Sequence, residues 1–207
     1  MDKEKIIELE NYIFAHHTKT GVAASATADI IGVLIGVKPS AISSFNIYKF
    51  TDIDPSEIIE LFGALGLRVL FFPYEYTSMG RLVRIEEIYV AHDYETAAKL
   101  HKSFTKMRSS IDDFGQTFDK KTWGESSREI GYLLGYPDTA VEYFIAEQDI
   151  DNKERRDLMD KYRFYIHSPE HHEHEYQIYD RKIYQALNDY APRTAKIFSA
   201  DQHKKWL

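Results

Sequence analysis

Apolar side chains at Ile6, Ile7, Leu9, Ile13 and Phe14 share one broad face at helical spacing, which predicts a helix over Lys3–His16. A second helix or tight turn is expected from Gly21, where an apolar run rich in small residues continues to Val37 and closes on Gly36-Val37-Lys38-Pro39. Ala41–Tyr48 (AISSFNIY) has the composition and partial alternation of a strand. Asp54-Pro55-Ser56-Glu57 then reads as a helix start: Asp54 to cap, Pro55 for the first turn, Glu57 to close a capping box. Leu67–Phe72 predicts a buried strand stopped by Pro73, with a turn over Tyr76–Gly80 and a further strand over Val83–Ala91. Asp93 is expected to cap a helix reaching Met107.

Beyond Ser109 the alternating pattern disappears and only helices are expected. One is expected to start at Ser126-Ser127-Arg128-Glu129 and to break at Gly135-Tyr136-Pro137. Val141, Phe144 and Ile145 mark the next, and Asp151–Tyr165 and Pro169–Tyr190 predict two more. In the last of these, Tyr176, Tyr179, Ile183, Leu187 and Tyr190 form the expected core stripe, in line with His172. The fold class that follows is α+β, mainly helical, with a small sheet of about three strands in the N-terminal half and a helical C-terminal half. Residues 1–207 are expected to form one domain, with 1–109 and 110–207 as its natural subdivision.

Composition narrows the chemistry. The 207 residues include no Cys, which removes disulfides, thiolate-bound metals and thiol catalysis together. With 26 basic against 33 acidic side chains, the surface as a whole is not built for nucleic acid. A basic aromatic stretch remains at Lys153, Arg155, Arg156, Lys161 and Arg163 beside Tyr162, Phe164 and Tyr165, interrupted by Glu154, Asp157 and Asp160. The mixed-charge N-terminus is no secretory signal, and the apolar run from Gly21 to Val37 carries Asp29 and is too short to span a bilayer. A cytoplasmic protein without membrane insertion is the expectation.

Glu129-Ile130-Gly131-Tyr132-Leu133-Leu134-Gly135-Tyr136-Pro137, followed by Val141 and Phe144-Ile145, resembles a stretch of a bacterial family catalogued as domain of unknown function 3793, in which a similar run leads into a helix. Gly36-Val37-Lys38-Pro39-Ser40, with Phe45 shortly after, is similar to that family's early GIKP-type segment, and His16-His17 lies upstream in a comparable neighbourhood. The family's later Cys- and Gly-containing stretch has no counterpart here. The family has no assigned activity, so the resemblance implies no function. On its own terms, the four-residue spacing of Gly131 and Gly135 clears one helical face for close approach by another backbone, and Gly135 can also end the helix.

The densest chemical signal is His167-Ser168-Pro169-Glu170-His171-His172-Glu173-His174-Glu175. His171, His174 and Glu175 stand at i, i+3 and i+4, so a regular helix brings them to one surface. Two imidazoles and a carboxylate suit zinc, iron or manganese, and His167, His16 or His17, or water, is expected to complete the shell. A solvated helix start is the competing reading. His16 and His17 suit the end of the first helix, where an imidazolium complements the helix dipole. Asp29 needs a partner if buried and ionised; His92 offers a polar group at a sheet edge. Ser103-Phe104-Thr105-Lys106 has the spacing of a serine–lysine pair without its companion motifs. No complete catalytic constellation assembles. The expected function is therefore a non-catalytic binding or protein-interaction protein, with protein partners or self-association. The alternatives are a metal-dependent enzyme using the His-rich helix start and a nucleic-acid-associated accessory protein.

Overall fold

The computed structural model describes residues 1–17, 19–46, 54–78, 81–110, 119–146 and 167–204. Helices α1 (Lys3–His16) and α2 (Thr20–Leu34) lead into strand β1 (Ser40–Asn46), followed by α3 (Pro55–Ala64). Strands β2 (Arg68–Ser78) and β3 (Arg81–Ala91) precede α4 (Tyr94–Ser109), α5 (Lys120–Leu133) and α6 (Asp138–Ala146). After 167 come α7 (His172–Glu175), a π-helical turn (Tyr176–Asp180), α8 (Arg181–Tyr190) and α9 (Pro192–Lys204). Among the described residues beyond 109, all regular structure is helical. The fold is thus α+β and mainly helical.

Aspartates cap four of these helices. Asp2, Asp54, Asp93 and Asp119 each turn a carboxylate oxygen onto free N–H groups of the first turn, as in the 2.7 Å bond from Thr96 N to Asp93. At Asp54 the partner is Ser56, through both its N–H and its hydroxyl. The sheet is antiparallel with β3 in the middle, in the order β1-β3-β2. Its register places Ala41, Val90 and Val69 side by side, and Ile42, Tyr89 and Leu70 in the next row. Because successive side chains alternate, the first row joins a core made by α1, α2, α3, α8 and α9, and the second joins a core made with α4 and α5. Both faces of the sheet are covered.

Four sequence expectations change. Pro73 does not stop β2, which continues to Ser78 opposite Glu86 and beyond; β2 is an edge strand, where a missing N–H leaves no ladder bond unmade on its outer side. The expected turn at Tyr76–Gly80 is therefore strand up to Ser78, and Met79-Gly80 lies outside the described residues. Helix α5 starts at Lys120 under an Asp119 cap, so Ser126 and Ser127 are interior helical residues facing the core rather than a helix start. The helix expected from Pro169 begins at His172, after a turn closed by His171 N–H on Ser168 O. Helix α9 was not foreseen; Pro192 occupies its first turn, and buried Glu10 of α1 caps it through Thr194 N at 2.8 Å. The helix expected over Asp151–Tyr165 and its basic aromatic side chains lie outside the described residues.

Candidate functional site

The His-rich segment divides between solvent and core. His171 and His174 are exposed, whereas His167 and Glu175 are fully buried. His171 Nδ1 lies 3.2 Å from Ser168 Oγ, and His172 Nδ1 donates to Pro169 O at 2.7 Å. The expected metal set is not gathered around one centre: two of its members face outward and two face each other. Among the described residues, no group of three or more His, Asp or Glu side chains is arranged to hold a metal ion.

Inside, His167 bridges two carboxylates. Its Nδ1 lies 3.0 Å from Glu175 Oε2 and its Nε2 3.1 Å from Asp180 Oδ2, and all three side chains have no exposed surface. The acids sit on opposite sides of the ring, so they form a line and not a ligand cage. Only an imidazolium carries a proton on both nitrogens and can serve both acids at once. Burial alone would lower the His167 pKa, but Asp180 and Glu175 outweigh it and hold the imidazole above its ordinary value. Burial raises the Asp180 pKa, with His167 offsetting only part of the effect. Glu175 also accepts from Thr139 Oγ1 at 2.6 Å and from Ser168 N at 3.0 Å, which ties α6 and the 167–168 segment to α7.

A second buried charge lies nearby. Lys38 is 1% exposed and pairs with Asp29, whose side chain keeps 28% of its surface. Its stem runs across Gly32, where an added Cβ would lie 2.6 Å from Lys38 Cδ. Its Nζ stands 5.4 Å from the centre of the Tyr136 ring, which meets Tyr179 edge-on at 5.9 Å. Burial would lower the Lys38 pKa, yet Asp29 and Tyr136 raise it. Asp29 thus has the partner its position demands. The other candidates serve helix ends: His16 Nδ1 donates to Tyr12 O at 2.8 Å, and His92 Nε2 donates to Val33 O at 3.0 Å. Burial lowers the pKa of half-buried His17 to about 4.

Gly131 and Gly135 do not share a helical face, because α5 ends at Leu133, but each allows a close approach of its own. A Cβ at Gly131 would lie 2.6 Å from Val141, and at Gly135, where φ is +75°, one would lie 2.6 Å from Val37 O. Ser40 Oγ donates to Leu133 O at 2.6 Å. The GVKPS and LGYP stretches therefore pack directly on one another.

Tyr136 also forms part of a cavity of about 310 Å³ between α4, α5 and α6. Phe104 and Met107 of α4, Ser127 and Ile130 of α5, and Val141 and Phe144 of α6 complete the wall. That wall presents almost only carbon, since the Ser127 hydroxyl is itself buried. Behind Phe104 stands Arg108, 5.6 Å from the ring centre and held by two bonds to buried Glu87, which also accepts from Tyr89. Ser103 of the serine–lysine spacing instead donates to Glu129 and to Lys99 O. Sequence reasoning missed Lys38, Thr139, Asp180 and the cavity; a lysine nine residues after an aspartate in an apolar run was the available signal for the first. No helix among the described residues is long and apolar enough to cross a membrane. Compared with known proteins, the chain matches no family model, no curated protein and no solved structure.

Proposed function

We propose that this is a cytoplasmic, non-catalytic binding protein that holds a small molecule between α4, α5 and α6. The cavity carries the reading. Its volume of about 310 Å³ falls within the range of small-molecule sites, ~300–1,000 Å³. Its wall comes from three helices anchored elsewhere, so the site is largely preformed. The buried His167 gives no support to catalysis: each ring nitrogen lies against a carboxylate, at 3.0 and 3.1 Å, and the side chain has no exposed surface. Docking of a protein partner has less support. The large apolar side chains exposed among the described residues, such as Val22, Ile59, Tyr94, Tyr132 and Ile178, are spread over separate elements.

Saturation-transfer NMR against a mixed library of neutral and charged fragments tests this function. Fragments that bind the parent protein and lose binding in a folded Met107→Trp variant, whose indole occupies the cavity, are the expected result. Either an absence of hits or hits indifferent to Met107→Trp overturns the proposal.

A further inference from the structure

The cavity also defines the class of its ligand, an inference that rests on the binding function proposed above. We infer that the site takes an uncharged, compact apolar molecule about the size of two fused six-membered rings. Size follows from volume: about 310 Å³ is roughly twice the ~150 Å³ of an apolar cavity that accepts one benzene. Neutrality follows from what stands behind the wall. Among the described residues, the two cations set against its lining rings are already balanced, Arg108 by Glu87 and Lys38 by Asp29, each within its own ion pair. An anionic ligand therefore finds, among the described residues, no unmatched positive charge at the wall, and a cationic one finds no carboxylate in the lining. A charge set against this wall would surrender its hydration without replacement. The Phe104, Phe144 and Tyr136 rings offer flat apolar contact instead.

Calorimetric titration of the full chain with benzene, naphthalene, 1-naphthoate and 1-naphthylmethylammonium tests the assignment. Naphthalene should bind one-to-one and about tenfold more tightly than benzene, because the extra ring buries more apolar surface. Both charged analogues should bind at least about a hundredfold more weakly than naphthalene. If either charged analogue matches naphthalene, or benzene equals it, the ligand class is wrong while the binding function stands. If none of the four gives saturable binding, both fall. The comparison among ligands uses the parent protein alone, so it does not depend on a cavity-filling variant folding.

Discussion

Lys38 places an ammonium group where the surroundings otherwise suit only its hydrocarbon stem. Gly32 clears the path for that stem, and Asp29 and Tyr136 receive the charge. The two members of the pair are not equivalent, since Asp29 retains contact with water and Lys38 has almost none. Removing one partner of a buried pair is costly where the other charge is left stranded in the interior, and costs less where the remaining group still reaches water, as Asp29 does. Asp29→Asn should therefore destabilise the protein by about 3–5 kcal/mol, and Lys38→Met by less than about 1.5 kcal/mol. Urea unfolding of both variants measures the contrast, and equal losses would show that the pair does not work this way. The sequence made Asp29 conspicuous because a carboxylate stood in an apolar run. It did not expose Lys38, because a lysine next to Pro39 looks like an ordinary loop residue.

Among the elements, the π turn and α8 show best what periodicity can and cannot reveal. Tyr179, Ile183 and Leu187 recur every four residues and are buried, while Arg181 and Gln185 face solvent. Tyr176 and Tyr190 of the expected stripe are half-buried. Ile183→Ala should cost about 2–5 kcal/mol by opening a cavity, and Gln185→Ala less than about 0.5 kcal/mol. Thermal denaturation of the two variants checks the face; similar shifts would mean that the wrong one was chosen. The π turn was not legible. Its i→i+5 bonding, seen where Arg181 N–H meets Tyr176 O, brings residues five apart into line. That is why Glu175 and Asp180 both reach His167, a pairing that α-helical spacing does not predict. Helix α5 was misplaced for a related reason: Ser126–Glu129 imitates a capping box, but Asp119 caps first and small serines suit a close-packed interior face.

For the whole molecule, buried His167 and half-buried His17 set opposite limits on stability. His167 is held above the ordinary 6.5, so its contribution is complete below that pH and is lost as pH rises through the raised value. The raised Asp180 pKa has the same sign, since the folded state again keeps a proton that the unfolded state releases. His17 acts on the acid side: neutral when folded, it must charge as pH falls from 6.5 towards about 4, which favours the unfolded chain. Urea midpoints across pH 4–9 should pass through a maximum near neutrality, and His17→Gln should flatten the acid limb. A midpoint that rises steadily to pH 9 would contradict the ion-paired assignment of His167. Most of the architecture could be read from alternation and capping, because the sheet and its helices form from local signals. The cavity could not, since it arises where three separate helices fail to close completely around Tyr136. Its occupancy is also what the proposed function depends on. The most direct measurement is a crystal structure of the protein soaked with 1-bromonaphthalene, locating bromine by anomalous scattering. The account predicts one bromine site between α4, α5 and α6, among Phe104, Met107, Ile130, Val141 and Phe144. Bromine bound only elsewhere, or that space filled by the chain's own side chains, would contradict it.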